Sequence, residues 1–329
     1  MLAYIFRRIA LAFVTVWVVS MLSFLIIQLP PGDYLTAFIA RLQSQGDVMS
    51  QDEAESLRQT YGLDRSAFVQ YFTWMGQIVQ GNFGWSFEWK RPVSEVIFSR
   101  LFLNVLVALG AVLVTWVIAL PIGIYSAARQ YSKGDYAFTV WGLIGLAVPE
   151  FLLALVIMYF AFAYLGISVG GLFSPQYVEA PWSIARVWDL LKKLWIPAFI
   201  IGINGTASLM RIMRANMLDE IRKPYVVTGR AKGLSEIRIL LKYPTRVALN
   251  PFVSMVGFTF PTMVSGSIIV AVVLSLPTVG PVLLNALVAQ DMFLAGTIIL
   301  FIGVMTVIGV LVSDILLVLI DPRIRMGGM

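Results

Sequence analysis

Residues 222–246 read RKPYVVTGRAKGLSEIRILLKYPTR, a basic segment that lies between two strongly apolar stretches. Pro224 suits the first position of a helix, and Gly233 would break that helix. Ser235 can cap a second helix, which Pro244 would end because proline lacks a backbone N–H. A connection between two membrane spans needs only a few polar residues, so this folded, charged segment indicates a docking surface. The predicted helices cover Tyr225–Lys232 and Glu236–Tyr243.

The composition of the chain is that of a polytopic membrane protein. Of its 329 residues, 59% are hydrophobic and 13% are charged, whereas about a quarter of the residues of a soluble domain are charged. The sequence contains no cysteine and no histidine, which excludes disulfides, cysteine nucleophiles and histidine-based metal or acid–base sites. The net charge of +6 could indicate a nucleic-acid partner, but basic loops on the cytoplasmic side of a membrane explain it better. We therefore expect no nucleic acid among the partners.

Long charge-free runs predict an all-α fold with about six transmembrane helices, since a helical span needs about 20 apolar residues. The run from Val247 to Gln290 is too long for one span and contains Pro277 and Pro281. We interpret it as one span to about Leu274, followed over 275–290 by a partly buried loop or half-helix. The alternative is two spans, which would put the C-terminus outside. The predicted spans lie within 9–32, 101–128, 136–178, 194–210, 247–274 and 292–320.

The charges beside these spans predict that both termini are cytoplasmic. With that topology the inner segments carry 15 of the 24 lysines and arginines but only five of the 18 acidic residues, and such a basic bias marks the cytoplasmic side. Arg7 and Arg8 before an apolar run resemble the start of a signal peptide. However, the run is long enough for a span and lacks an obvious cleavage site near its end. We therefore interpret residues 1–29 as a retained first helix.

Residues 30–100 form a predicted external insertion between the first and second spans. Ser50-Gln-Asp-Glu53 is a capping-box pattern, which predicts a short helix over Gln51–Thr60. A second helix is predicted over Ala67–Gln80, ended by Gly81, because its apolar residues recur at helical spacing on one face. This helix could lie on the membrane surface or pack on the spans. The predicted domains are residues 1–29 (first helix), 30–100 (external insertion) and 101–329 (a five-helix core with the cytoplasmic segment 211–246).

The sequence lacks the common signatures of a catalytic site. It contains no Gly-x-x-x-x-Gly-Lys-Ser/Thr loop to bind ATP, and neither Gly-x-Ser-x-Gly nor His-Glu-x-x-His. Two acids lie in apolar runs. Glu150 could be a proton-relay or substrate-contact residue, or a structural group near Pro149 that a neighbouring helix satisfies. Asp314 lies close to the inner end of its span, which favours a structural role. A proton-coupled secondary transporter that uses Glu150 is therefore one hypothesis.

Motifs along the whole chain occur in an order and spacing typical of one family. Arg230-Ala-Lys-Gly-Leu-Ser235 lies in the basic segment, with Gly233 at the turn, and Gly81-Asn-Phe-Gly-Trp-Ser86 lies in the external insertion. The chain resembles the first of the two permeases of the dipeptide/oligopeptide/nickel class of bacterial ABC importers. Further matching motifs are Arg7-Arg8, Phe24, Pro31-Gly-Asp33, Tyr61-Gly-Leu-Asp64, Gln70-Tyr71, Pro92-Val93, Pro251, Leu276-Pro277 and Asp321-Pro-Arg-Ile-Arg325.

This resemblance implies a subunit of the bacterial inner membrane without an ATPase site of its own. The implied partners are a second homologous permease, two ATPase subunits, an extracytoplasmic solute-binding protein and membrane lipid. ATP and Mg²⁺ would bind to the ATPase subunits, and this chain would hold no cofactor and no metal. The solute would be an oligopeptide or a related solute such as an oligosaccharide.

The basic segment resembles the cytoplasmic loop by which such permeases engage their ATPases. Arg230 and Lys232 are candidates for polar contacts with the ATPase, and Gly233 would set the angle between the helices. The candidate coupling residues are Tyr225, Gly229, Arg230, Ala231, Lys232, Gly233, Leu234 and Ser235. The candidate residues of the translocation path are Glu150, Met263, Ser265 and Ser267.

Four residues depart from the usual pattern of the family. Ala271 stands where an acidic residue is common, Leu274 where phenylalanine is common, and Thr278 where glycine often follows the proline. Gly229 replaces a usual alanine in the basic segment. The three departures near the external turn leave the peptide specificity open and would fit a different binding-protein partner.

Overall fold

The computed structural model describes residues 2–28, 56, 59, 65–86, 88–250, 252–253 and 268–320. Nearly all regular structure in these residues is helical, as the composition predicts. Four of the described helices are long and apolar enough to cross a membrane, and a bent pair provides a fifth candidate. Residues 254–267, most of the predicted fifth span, lie outside the described residues, as does the predicted helix Gln51–Thr60 apart from Ser56 and Gln59.

The chain divides into two compact units, the first made of residues 1–103 and 278–307 and the second of residues 104–277 and 308–329. In chain order, the elements are α1 (Leu2–Gln28), α2 (Ala67–Val79), β1 (Trp85–Ser86), β2 (Arg91–Pro92), α3 (Val93–Ala128), α4 (Lys133–Ala147), α5 (Glu150–Leu165), α6 (Ile184–Ile221), α7 (Pro224–Ala231), α8 (Glu236–Lys242), α9 (Pro244–Ala248), α10 (Ile268–Val273), α11 (Val279–Val288) and α12 (Met292–Ile320). The strands β1 and β2 pair antiparallel.

The first unit packs its core around the start of α3, α11 and the start of α12. Val93, Ala286, Leu294 and Ile298 are 0% exposed in this cluster. Helix α11 has ten residues and is therefore about 15 Å long, too short to cross about 30 Å of hydrocarbon. Residues 275–290, interpreted as a partly buried loop or half-helix, therefore contain a short helix that is buried on one side only: Ala286 is 0% exposed, whereas Val288 is 76% exposed.

A buried carboxylate fixes the predicted external loop to the start of α12. The Ser86 hydroxyl donates to Oδ2 of Asp291 at 2.7 Å, and the backbone N–H of Glu88 donates to the same oxygen at 3.2 Å. The N–H of Leu294 donates to Oδ1 at 3.2 Å, the bond by which an aspartate caps a helix. Asp291 is 0% exposed. The sequence showed it only as the one charge between two apolar runs, and its structural role was missed.

In the second unit, the third predicted span is broken rather than continuous. Helices α4 and α5 meet at an angle of 99°. Pro149 lacks a backbone N–H and disfavours helical backbone in the residue before it, and Val148 is accordingly extended, with φ −88° and ψ 120°. Helix α5 ends at Leu165, where Gly166 takes a φ of +64°. The bend lies within the predicted range 136–178, and residues 167–178 of that range are not part of α5.

Helix α6 is longer than the predicted span 194–210. Its 38 residues end at Ile221 and make a rod of about 57 Å. It approaches α3 closely at Gly202, whose carbonyl oxygen accepts a hydrogen bond from Oγ1 of Thr115 at 2.9 Å. The helix thus continues without interruption from an apolar, packed part into the predicted cytoplasmic segment.

A paired charge joins the start of α4 to α6. Nε and Nη2 of Arg214 donate to the two carboxylate oxygens of Asp135, each at 2.8 Å. The backbone N–H of Tyr131 donates to Oδ2 of Asp135 at 2.9 Å. The Asp135 side chain is 3% exposed and that of Arg214 is 28% exposed. A buried charge is tolerated only when it is paired and hydrogen-bonded. Asp135 is both, so this pair holds the first turn of α4 against α6.

Candidate coupling site

The basic segment folds into two short helices separated by a turn at Gly233, as predicted. Helices α7 and α8 agree with the predicted ranges to within one residue at each end. Ser235 occupies the predicted N-cap position with extended backbone, but its hydroxyl accepts no capping hydrogen bond. Its carbonyl instead accepts from the N–H of Ile239 at 3.0 Å. The helices therefore depend on the turn and on packing more than on this cap.

Gly233 ends α7 in the left-handed conformation, with a φ of +74°. The N–H of Gly233 donates to the carbonyl of Arg230 at 2.9 Å, and the N–H of Leu234 donates to the carbonyl of Gly229 at 3.2 Å. These are the paired bonds of a Schellman motif, which satisfy carbonyls at a helix end. A residue with a Cβ pays an energetic penalty in this conformation. Glycine here therefore fixes the direction in which the chain leaves α7.

Helices α7 and α8, the candidate coupling helices, bury a small apolar interior between them. Val226 of α7 and Ile239 of α8 are both 0% exposed. Gly229 is buried next to them, and a Cβ on it would lie 3.4 Å from Cγ1 of Ile239, at ordinary contact distance. The space beside Gly229 is therefore large enough for the methyl group of alanine, which is the usual residue at this position in the permeases that the chain resembles. Because they share this interior, α7 and α8 form one folded unit.

An ion pair on the surface of this folded unit joins Arg230 to Glu236. Nε and Nη2 of Arg230 donate to the two carboxylate oxygens of Glu236, at 2.7 Å and 3.2 Å. These hydrogen bonds hold the pKa of Glu236 below its ordinary value and raise the pKa of Arg230. Arg230 therefore links α7 to α8, a role that the sequence reasoning missed because the partners are six residues apart across a turn. Lys232, the other predicted contact residue, is exposed at the end of α7.

Tyr225 ties the start of α7 to the end of α6. Its hydroxyl donates to a carboxylate oxygen of Glu220, and its ring centroid lies 6.3 Å from that of Tyr243. Burial, together with the neighbouring carboxylate, raises the pKa of Tyr225. The phenol is therefore protonated at neutral pH and keeps the proton that this hydrogen bond requires.

Helix α9 seats the coupling helices on α6. Oγ1 of Thr245 donates to the carbonyl oxygen of Leu240 at 2.8 Å and lies 3.7 Å from the sulfur of Met217. Met213 and Met217 of α6 are 0% exposed and share a cluster with Ala248, which is 1% exposed. Methionine fills irregular gaps of this kind well. The end of α6 and the coupling helices therefore pack into one body.

The outward side chains of the unit are a mixture of apolar and basic groups. Val227, Ile237 and Leu241 are 57%, 73% and 57% exposed. Lys232 and Arg238 are exposed as well. We call these five residues the docking surface. Apolar side chains supply area that a partner can bury, and the charges can orient the partner.

The remaining candidate residues lie elsewhere. Glu150 is the first residue of α5, where a carboxylate suits the positive end of a helix, and its carboxylate accepts a side-chain hydrogen bond from Asn204. Met263, Ser265 and Ser267 lie outside the described residues.

The three departures near the external turn are inside the protein and not on its surface. Ala271, Leu274 and Thr278 are 2%, 0% and 3% exposed. The carbonyl of Leu274 accepts a hydrogen bond from the N–H of Gly171 at 2.7 Å. These side chains therefore shape the packing of the turn, and the fit of the turn to a different binding protein stays a prediction.

Known proteins match the chain over its whole length. Residues 119–326 match the family described as the inner membrane component of binding-protein-dependent transport systems, and residues 1–108 match the N-terminal family of such membrane components. The oligopeptide transport system permease protein AppB of Bacillus subtilis is 35% identical over 99% of this chain and 100% of its own length. A putative peptide permease protein of Brucella ovis is 35% identical over 99% of each chain. The oligopeptide transport system permease protein OppB of Haemophilus influenzae is 28% identical over 99% of this chain and 100% of its own.

Proposed function

The chain belongs to the family of inner membrane components of binding-protein-dependent transport systems, and from this premise we propose that it is the first of two permeases of an ABC importer for oligopeptides. Its relatives over the full length are permeases named for oligopeptide or peptide transport, which supports a peptide cargo. The observation that carries the coupling role is the folded unit of α7, Gly233 and α8, seated on the end of α6 with its docking surface outward.

The proposed assembly contains this chain, a second homologous permease, two ATPase subunits and an external solute-binding protein. The sequence has no P-loop signature, and such a loop is the common cradle for the phosphates of ATP. ATP and Mg²⁺ would therefore bind to the ATPase subunits, and this chain would form half of the translocation path within the lipid bilayer.

The docking surface is the proposed contact with one ATPase. Ile237 and Leu241 would be buried in a groove of that subunit, and Lys232 would contribute a charged contact at the rim. Arg230 would act within the segment, where it holds the angle between α7 and α8 through Glu236. Its proposed role is thus to shape the contact surface.

Helix α6 would carry the motion of the ATPases to the spans. Closure of the ATPases around ATP would displace the docking surface, and because the coupling unit packs on the end of α6, that displacement would move the helix as a rigid body. The spans would then exchange between inward-facing and outward-facing packings. A ligand can shift such an equilibrium only by its difference in affinity for the two states, so the ATPase must contact the docking surface differently in each.

The proposed orientation puts both termini and the basic segment in the cytoplasm, on the strength of the basic bias of the inner segments. Glu150, Met263, Ser265 and Ser267 are the proposed residues of the path. Glu150 lies at the break between α4 and α5, and a broken helix at membrane depth is tolerated where it lines a cavity or is covered by protein.

Reconstitution separates this function from proton coupling through Glu150. We expect ATP-dependent uptake of peptide when the chain is in liposomes with all its partners, and no uptake by the purified chain alone in a pH gradient. Glu150→Gln should leave the requirement for ATP unchanged. Uptake by the chain alone that follows the pH gradient and is lost in Glu150→Gln would overturn the proposal.

The cargo is tested separately by the solute-binding protein that works with this permease. Calorimetric titration should give tight binding of short peptides and none of oligosaccharides of similar size. The reverse preference would replace the peptide by an oligosaccharide and leave the permease role in place.

A further inference from the structure

Helix α2 carries no charged residue, which is unusual for a helix outside the predicted spans. Its 13 residues read AFVQYFTWMGQIV. Tyr71 and Trp74 are 5% and 6% exposed, whereas Phe68, Phe72 and Val79 on another face are 71%, 50% and 80% exposed. When a helix packs on a protein with one face and has water on the other, the face toward water, here called the free face, is normally polar. The apolar free face of α2 therefore needs apolar surroundings.

The buried face fixes α2 to the far end of α1. The hydroxyls of Tyr71 and Ser20 share a hydrogen bond of 2.7 Å, and Nε2 of Gln28 donates to Oε1 of Gln70 at 2.8 Å. Ser20 lies inside the apolar stretch Arg8–Leu25, which is long enough to cross a membrane, and Gln28 lies three residues beyond it. The contacts of α2 with α1 therefore lie on both sides of the end of the apolar stretch, where the first span would leave the hydrocarbon.

A series of aromatic rings connects the first span to the exposed face. The ring centroids of Phe24 and Tyr71 are 5.5 Å apart, those of Tyr71 and Phe72 are 5.2 Å apart, and those of Phe72 and Phe68 are 4.7 Å apart. The same half of α1 exposes Leu25 to 59%, as a lipid-facing residue of a span would be. The free face of α2 is thus continuous with the membrane-facing surface of the first span.

We propose that α2 is an interfacial helix, whose face of Phe68, Phe72, Gly76 and Val79 lies against lipid at the boundary between acyl chains and headgroups. A helix of 13 residues is about 20 Å long and cannot cross about 30 Å of hydrocarbon, but one apolar face suffices to bind it to the membrane surface. A protein partner fits less well, because protein interfaces regularly form hydrogen bonds and Thr73 is the one polar side chain among the exposed residues of this helix.

Single spin labels can test this contact, because the chain contains no cysteine. Gly76 lies four residues after Phe72, and a Cβ on it would have no heavy atom within 4 Å, so Gly76→Cys leaves the packing intact. Val79→Cys provides a second position. Gln176→Cys, in an exposed polar turn of the second unit, is the reference for water, and Phe13→Cys, on the exposed side of α1, is the reference for lipid.

Each labelled permease is assembled with its partners in vesicles of phosphatidylethanolamine and phosphatidylglycerol. Paramagnetic resonance then gives the collision rates of the label with oxygen, which concentrates in hydrocarbon, and with a polar nickel chelate, which stays in water. We expect the ratio of oxygen to nickel rates at both α2 positions to be several-fold above that at Gln176 and close to that at Phe13. A ratio equal to that at Gln176 would place the face in water, and low rates with both reagents would place it under a protein. Either result at either position would overturn the proposal.

Discussion

Replacement of Gly233 tests whether the turn between α7 and α8 determines coupling. The residue has a φ of +74°, and a Cβ on it would have no heavy atom within 4 Å. A substitution there acts through the conformation of the backbone and not through a steric clash. Gly233→Asn, Gly233→Ala and Gly233→Val form a useful series, because asparagine tolerates positive φ best and β-branched valine least.

The expected magnitude follows from this geometry. The left-handed conformation costs alanine about 1–2 kcal/mol, and the reduced freedom of its unfolded chain offsets about 0.4–1 kcal/mol of that. The net cost is about 1 kcal/mol, or roughly fivefold in the population of the native turn. A turn that relaxes to avoid the strain instead loses the two hydrogen bonds to Arg230 and Gly229, each worth about 0.5–1.5 kcal/mol. Valine should therefore leave little of the native turn.

The assay measures peptide uptake by cells that express each variant with its partners, and membrane insertion by fractionation. Uptake should decrease from glycine through asparagine and alanine, and valine should abolish it. Insertion should be unchanged because the strain lies outside the spans. Gly166→Val is the matched control, since Gly166 has a φ of +64° and equally open surroundings but lies at the end of α5, away from the coupling segment.

Two results would refute this reasoning. Normal uptake by Gly233→Val would show that the geometry of the turn does not matter for coupling. An equal loss of uptake in Gly166→Val would show that strain at any open glycine turn is enough, so that the loss at Gly233 would say nothing about the ATPases.

Three further predictions concern the charges and packing around the coupling helices. Gly229→Ala should stabilise the segment by about 0.5–1 kcal/mol, because glycine is less favourable than alanine in a helix interior and the added methyl fits; faster amide exchange in α7 and α8 would contradict the packing. The ion pair with Arg230 lowers the pKa of Glu236, so the stabilisation by this pair is complete above the ordinary pKa of 4.5 and is lost as the pH falls through the lowered pKa. On acidification, amide exchange of α7 and α8 should therefore become faster than in Glu236→Gln at the same pH. Identical exchange profiles of the two proteins would exclude a stabilising pair. Arg214→Ala should destabilise the purified protein in thermal unfolding by about 3 kcal/mol, which is the low end of the cost of removing one partner of a buried ion pair, because Arg214 is 28% exposed. The double variant with Asp135→Asn should recover most of this loss, and no recovery would show that the ion pair is not its cause.

The coupling helices could be predicted from the sequence because their boundaries depend on local chemistry. Pro224, Gly233 and Pro244 act through backbone dihedral angles and missing donors, which neighbouring elements change little. The bounds of α7 and α8 accordingly match the predicted ranges to within one residue. The same holds for α2, which was predicted over Ala67–Gln80 and is observed over Ala67–Val79.

Contacts across the fold could not be predicted in this way. The pairing of Arg230 with Glu236 depends on the angle that the turn sets, and the burial of Asp291 depends on a loop some 200 residues earlier in the chain. The bend at Pro149 was missed because hydropathy counts apolar residues and does not register backbone geometry. Exposure of Ile237 and burial of Ile239, two residues apart on one short helix, follow from which side faces Gly229 of α7, and composition does not specify that side.

The most direct test of the central claim is a site-specific cross-link from the docking surface to an ATPase. Ile237 is 73% exposed, and the chain has no native cysteine, so Ile237→Cys can carry a photoreactive reagent that samples this surface alone. In the assembled transporter, the reagent at Ile237 should form a cross-link with an ATPase subunit, in a yield that changes when ATP binds, while the same reagent on Gln176→Cys should not. An active transporter in which the reagent at Ile237 never reaches an ATPase would contradict the claim that the ATPases drive this permease through α7 and α8.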